Sequence, residues 1–167
     1  LGLSPLPLLS GRQMLRLRAG EARLSLSDGR LRGIDDAHGV LALPSLQGLR
    51  LRAWLEDARM LFDARGCRDA GGRVRIELAL PGDAVAPVVL AGTPACDGRR
   101  GTLVLLPEDT SGPLLPEATL TIGADGRYRV QSLVRSDDPG LRAVLLAAGF
   151  QEVPGGLGRI DAGRLGH

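Results

Sequence analysis

The sequence predicts a mainly β protein: a curled antiparallel sheet, built as a meander of hairpins, with one short α-helix near residues 138–149. Apolar and polar side chains alternate with a period of two along several segments, which places the two kinds on opposite faces of a strand. Turn signals separate these segments, and one later segment has the apolar spacing of a helix. At 167 residues, 44% of them hydrophobic, the chain is expected to form a single domain over residues 1–167.

The N-terminal half contains the first predicted strands. Alternation over 15–18 and 22–26, followed by a turn at 28–29, indicates a hairpin whose next strand is 30–34. Residues 73–80 alternate in the same way and end at a Pro-Gly turn. The segment 49–64 is ambiguous. It fits strands through Leu49, Leu51, Ala53 and Leu55, and it fits a helical face through Leu51, Leu55, Ala58 and Phe62. We favour strands there.

The C-terminal half gives the clearest signals. Short apolar runs at 87–91 and 101–106 precede a hairpin that joins 118–122 to 128–134 through Asp125 and Gly126, which suit the positive-φ positions of a type I′ turn. In the predicted helix, Asp138 is the N-cap, Pro139 takes the first position and Gly149 ends the helix. A final run, 157–165, is expected to return as an edge strand.

Composition excludes several chemistries. All 21 basic residues are arginine, so the chain has no lysine for a P-loop or a Schiff base, and it has no asparagine. The 19 acidic residues are interspersed with the basic ones, giving a net charge of +2. Clustered basic residues and aromatic platforms are typical of nucleic-acid binding, and this chain has only four aromatic residues. We therefore expect no nucleic-acid partner.

The sequence offers little that could act as a catalytic or metal site. Besides the terminal His167, the only histidine is His38, which we interpret as a turn residue, because no serine or cysteine near it is framed as a nucleophile. Paired acids occur at predicted turns or caps, where aspartate is favoured for backbone reasons. We therefore predict no enzymatic activity, no metal and no cofactor.

Arginines at outward positions of the predicted strands are the candidate interaction surface. They either form a solvated sheet face neutralised by neighbouring acids, which we favour, or they face a partner or phospholipid headgroups. If the sheet curls far enough, its leucine-rich face could instead enclose a lipid. The arginines are Arg16, Arg18, Arg23, Arg30, Arg32, Arg50, Arg52, Arg73, Arg75, Arg127 and Arg129.

The two cysteines, Cys67 and Cys96, allow two interpretations. They form a structural disulfide in an oxidising compartment, or they are reduced, buried thiols in a cytosolic protein. A metal site is disfavoured because the chain has no CxxC pair and no histidine close to either cysteine.

Motifs of the last two thirds resemble a known family. These are ADGRYRV at 124–130, DPGLR at 138–142 opening a Leu/Ala-rich helix, AAGF at 147–150, and a Gly-Gly pair at 155–156 before the final strand. The cysteine segments CRDAGGRV and LAGTPACDG add to them. Over residues 45–167 the chain resembles type II secretion system protein N.

This resemblance implies a non-enzymatic subunit of the bacterial general secretion machine. It implies an inner-membrane anchor outside this chain, which begins at Leu1 without a methionine and is expected to be a trimmed portion, and a location in the periplasm, which favours the disulfide between Cys67 and Cys96. Implied partners are the inner-membrane platform subunits, with the outer-membrane secretin as a further candidate. The alternative function is a periplasmic lipid- or lipoprotein-binding module that uses the apolar face of a curled sheet.

Overall fold

The structure, a computed structural model, describes the backbone of residues 12–17, 20–27, 30–46, 49–80 and 86–164, and the side chains of 52–80 and 86–164. The strands are β1 (Arg12–Leu17), β2 (Gly20–Ser27), β3 (Arg30–Leu46), β4 (Leu49–Asp63), β5 (Gly66–Ala79), β6 (Val88–Gly92), β7 (Pro94–Asp97), β8 (Arg100–Pro107), β9 (Leu115–Gly123), β10 (Arg127–Arg135), β11 (Gln151–Val153) and β12 (Gly156–Arg164). Helix α1 (Pro139–Ala147) lies between β10 and β11. The predicted mainly β fold with one short helix is confirmed.

The strands form one open antiparallel sheet. Their order across the sheet is β1-β2-β3-β4-β5-β6-β8-β9-β10-β12-β11, and β7 pairs with β8 beside this path. Strands that are consecutive in the chain are mostly neighbours in the sheet, as a meander requires. The order closes on neither side, which agrees with the predicted curled sheet.

The sheet bends where β6 passes into β7. Both strands pair with β8 in a single register, since Leu90 lies opposite Pro107 and Pro94 lies opposite Leu103. The ladder is interrupted at Gly92, where a side chain would collide with the carbonyl of Val104. Strand β6 pairs with β5 as well as with β8, whereas β7 pairs with β8. The sheet therefore divides at this point into two halves, one containing β4–β6 and the other containing β8–β10.

The core lies between these two halves. Ala58, Val74 and Leu90, from β4 to β6, pack against Leu103 and Leu105 of β8. Two further clusters flank this one: Met60 and Phe62 of β4 meet Ile122 of β9 at one end, and β5, β10 and β12 meet helix α1 at the other. The inner faces of β4–β6 and β8–β10 therefore cover each other, and their outer faces point in opposite directions.

The helix begins and ends as the sequence predicts. The carboxylate of Asp138 accepts a hydrogen bond from the N–H of Leu141 at 3.0 Å, and Pro139 follows as the first helical residue. At the other end the N–H of Gly149, a residue with φ of 87°, donates to Leu146, and the N–H of Phe150 donates to Leu145. These two bonds form a Schellman motif.

Asp138→Ala is expected to lower the free energy of unfolding by about 1 kcal/mol, because it leaves a first-turn N–H without its carboxylate partner. Urea unfolding followed by circular dichroism measures this. Asp137→Ala is the matched control, since it removes the same charge one residue earlier, from an exposed side chain outside the cap. Equal losses in the two variants would contradict the capping role.

The β9–β10 hairpin forms as predicted, but its turn is of another type. Gly126 has a positive φ of 76°, whereas Asp125 does not, and the N–H of Gly126 donates to the carbonyl of Gly123 at 2.9 Å. The strands pair from Tyr128 opposite Ile122. A type I turn followed by a left-handed glycine therefore connects the strands, and the expected type I′ turn is wrong.

The segment 49–64 is a strand, as favoured, but it contains a β-bulge. Its register against β5 shifts between Glu56 and Arg59, and Asp57 has a positive φ of 49°. Ala53 is buried before the bulge, whereas Ala58 and Met60 are buried after it, so the inward positions change from odd to even numbers.

Strands β7 and β11 were not predicted. The predicted last strand exists as β12, which lies between β10 and the three-residue edge strand β11 rather than at the edge itself. Residues 28–29 and 81–82, where turns are predicted, lie outside the described part of the chain, as does the end of the predicted last strand at Leu165.

Candidate functional site

The structure distributes the predicted arginine surface over several strands. Arg16, Arg23 and Arg50 lie in β1, β2 and β4, with side chains outside those described, as are those of Arg30 and Arg32 in β3; Arg18 lies outside the described residues altogether. Arg52, Arg73 and Arg75 lie on the outer face of β4 and β5, and Arg127 and Arg129 lie on the outer face of β10. Because those two faces point in opposite directions, the arginines with described side chains form two separate groups.

Two arginines of the group on β4 and β5 share a carboxylate of the same molecule, and the third lies over an aromatic ring. Glu108, just after β8, receives hydrogen bonds from Arg75 at 2.7 Å and from Arg73 at 3.0 Å. The guanidinium of Arg52 lies 5.9 Å from the ring centroid of Trp54, which is opposite Arg75 in the ladder. This arrangement holds the segment after β8 against β5.

The pKa of Glu108 is lowered from its ordinary value, mainly by the hydrogen bond from Arg75. A carboxylate whose pKa is depressed in the folded state stabilises the fold above its unfolded pKa, and that contribution is lost as the pH falls through the folded pKa. We expect NMR titration to place the pKa of Glu108 below that of an unfolded glutamate. Arg75→Gln should raise it more than Arg73→Gln does, and an equal effect would contradict the assigned order.

Arg127 belongs to a further cluster of arginines that gathers where three turns meet, and we call this cluster the basic end. It comprises the exposed side chains of Arg65, Arg68, Arg99, Arg100, Arg127 and Arg164. Of these only Arg127 is among the outward arginines of the predicted strands that form the candidate surface, because most of the others lie in or beside turns. The signal that would have indicated them is the repeated occurrence of arginine next to glycine and cysteine in turn segments.

The disulfide between Cys67 and Cys96 is present, so the alternative of two reduced thiols is excluded. It joins the first residues of β5 to β7, with a Cα–Cα distance of 5.5 Å and a sequence separation of 29. The N–H of Cys67 also donates to the carbonyl of Arg99 at 3.1 Å. The disulfide thus fixes the β4–β5 turn beside the β7–β8 turn and anchors the basic end.

A strand edge is open on β12. On its far side β11 pairs only with Gly156, Leu157 and Gly158, so 159–164 has no strand partner there among the residues described. Two charges occupy the inner face of this edge: Arg159 binds the carboxylate of Asp161 at 2.8 Å and the carbonyl of Ala148 at 2.7 Å. Charges at this position hinder indiscriminate strand pairing.

Two shallow grooves accompany these surfaces. One, of about 790 Å³, lies along β9, β10 and β12 and is lined by Leu133, Val153 and Ile160 together with polar side chains such as Gln131. The other, of about 500 Å³, lies between β6 and the segment after β8 and includes Val89. Both are open surface features.

Features typical of catalysis are few in the part of the chain that the structure describes. His38 lies in β3, not in a turn, and its side chain is outside those described. Of the acidic pairs, Glu108 is held by two arginines, and Asp109 accepts hydrogen bonds from the N–H and hydroxyl of Ser111, which lower its pKa. Within the same residues no group of three metal-binding side chains occurs, and no helix is long and apolar enough to cross a bilayer.

Comparison of the chain with protein families, with curated proteins and with solved structures finds no match.

Proposed function

We propose that the chain is the periplasmic part of a non-enzymatic subunit of a bacterial type II secretion machine, attached to the inner membrane by a segment outside this sequence. The observation that carries the proposal is the Cys67–Cys96 disulfide. It joins two of the segments by which the chain resembles type II secretion system protein N, those that contain the cysteines. A structural disulfide also suits an oxidising compartment such as the periplasm.

The proposed mode of action is contact with other subunits of the machine, namely the inner-membrane platform and, as a further candidate, the secretin. The open edge of β12 supports this mode, because an exposed edge can accept an extended segment of a partner as an additional strand. Ile160 lies on that edge with 57% of its surface exposed, beside the groove along β10 and β12, and offers an apolar contact.

The competing function is binding of a lipid or lipoprotein by the apolar face of the sheet. In the part of the structure with described side chains, the inner faces of β4–β6 and β8–β9 fill that space with each other, through residues such as Val74 and Leu103. The contact function is favoured for this reason.

Crosslinking and co-purification of the full-length, membrane-anchored protein from its native host test the proposal. Recovery of platform subunits is the expected result. Ile160→Asp should reduce that recovery, whereas Leu146→Asp, at an apolar residue of α1 that is 44% exposed, should not. Recovery of lipid or unrelated lipoproteins without the platform would overturn the proposal in favour of the competing function.

A further inference from the structure

Three turns meet at the basic end. Gly66, which opens β5, packs directly against the backbone of Arg99 in the β7–β8 turn, and no side chain would fit between them. Arg100 pairs with Gly123, the last residue of β9 before its turn to β10. On the other side of that turn, Arg127 lies opposite Arg164 of β12. The β4–β5, β7–β8 and β9–β10 turns therefore form one continuous end of the molecule.

Positive charge is concentrated at this end. The described side chains there comprise six arginines and three aspartates, Asp63, Asp97 and Asp125, besides Arg59 and Asp69, which neutralise each other at 2.9 Å. Six against three gives a net charge of +3, whereas the whole chain of 167 residues carries +2. The rest of the molecule is thus close to neutral, and the basic end carries the excess.

Most of these guanidinium groups form no ion pair with a carboxylate. Within the described side chains, Arg65, Arg68, Arg99 and Arg100 form no ion pair, although their neighbourhood contains acids. The sixth, Arg164, donates to a backbone carbonyl of the β9–β10 turn rather than to a carboxylate. Free guanidinium groups at one end are available for an external anion.

Two arginines of the basic end lie directly opposite each other in the sheet. Arg127 and Arg164 are direct cross-strand neighbours, and like charges in that relation repel each other. Asp125 relieves the repulsion only in part, since its carboxylate lies 3.6 Å from Arg127. An external anion between these two guanidinium groups would offset the rest of this repulsion.

The partner's chemistry follows from what the basic end lacks. The exposed large apolar side chains with described positions lie elsewhere: Val104, Leu106, Val144, Leu146, Val153 and Ile160. Protein interfaces depend on buried apolar or aromatic anchors, whereas attraction to anionic headgroups needs only clustered basic residues. We propose that the basic end docks on an anionic phospholipid surface, with its guanidinium groups bound to headgroup phosphates.

This inference does not depend on the proposed secretion role, because the charge and geometry of the basic end are the same whatever the rest of the protein does. Co-sedimentation of the purified, disulfide-bonded chain with vesicles tests it. Vesicles containing phosphatidylglycerol should bind the chain at low salt, and vesicles of phosphatidylcholine alone should not. Binding should weaken as salt rises, since exposed charges are screened.

The decisive variant is Arg65→Gln/Arg99→Gln/Arg100→Gln. Each basic residue near an anionic surface raises the affinity for that surface roughly fivefold, so the triple variant should lose about a hundredfold in affinity for anionic vesicles. The matched control, Arg52→Gln/Arg135→Gln/Arg142→Gln, removes the same charge from sites away from the basic end. This control variant should lose far less affinity for anionic vesicles. Circular dichroism establishes that both variants fold.

Three results would overturn the proposal. Equal loss of vesicle binding in the two triple variants would show that net charge, rather than the basic end, attracts the chain. Binding to phosphatidylcholine vesicles as strong as to the anionic ones would show an apolar mechanism. The third result combines failure to bind anionic vesicles with tight binding to polyglutamate that the decisive variant loses. It would show that the partner of the basic end is an acidic protein instead.

Discussion

Breaking the Cys67–Cys96 disulfide is expected to lower the free energy of unfolding by about 3.5 kcal/mol, because it releases a closed loop of 29 residues in the unfolded chain. For a chain of this size, that loss corresponds to a fall in melting temperature of roughly 10 °C. Urea and thermal unfolding of the oxidised protein, with and without reductant, measure the change.

The double variant Cys67→Ser/Cys96→Ser provides the control. It should match the reduced wild-type protein, and reductant should leave its stability unchanged. Vesicle binding should weaken as well, because the disulfide holds the β4–β5 and β7–β8 turns together at the basic end. An unchanged melting temperature in reductant would contradict the structural role of the bond.

Local sequence patterns were sufficient for most of the strands. The β9–β10 hairpin and helix α1 are set by signals within a few residues, such as the Asp138 cap and the Gly149 terminator. The type of the β9–β10 turn was misjudged because Asp-Gly suits both the type I′ turn and the second and third loop residues of a longer one, with the glycine left-handed in either case. The choice between them depends on the register of the flanking strands, which the dipeptide does not determine.

The ambiguity of 49–64 has a physical cause in the β4 bulge. One extra residue near Asp57 moves the buried positions from Ala53 to Ala58 and Met60, so the apolar pattern loses its period of two. A change of phase within a strand imitates the three-to-four-residue spacing of a helix. Only the opposing strand shows which is correct, because Gly72 of β5, with φ of 83°, packs against the backbone of Asp57.

Long-range features were beyond local reasoning. Strand β7 is short, and it is defined by its ladder with β8 and by the disulfide of Cys96 rather than by any apolar alternation of its own. The basic end was missed for a similar reason. Arg65 and Arg99 are 34 positions apart in the sequence and lie at the same end of the molecule only because Gly66, next to Arg65, packs against the backbone of Arg99. Outward positions within strands were found from the pattern, whereas the end of the molecule required the topology.

Leu157→Ala is expected to lower the free energy of unfolding by about 3 kcal/mol, since it opens a cavity in a tightly packed cluster. Leu157 is 0% exposed and packs in the cluster that contains Leu145 and Leu114, each 1% exposed. Urea unfolding measures the loss. Ile160→Ala is the control, because Ile160 lies on the other face of the same strand with 57% of its surface exposed, and its loss should stay within about 0.5 kcal/mol.

The same variant tests whether the two halves of the sheet fold as one unit. The cluster around Leu157 joins helix α1 and β12 to Leu78 and Leu80 near the end of β5, so it connects the C-terminal strands to the other half of the sheet. Weakening it should therefore shift one cooperative transition without splitting it. The opposite result would be a separate unfolding transition of Leu157→Ala at lower urea, with faster hydrogen exchange confined to α1 and β12. It would show that the C-terminal strands are held to β5 only weakly.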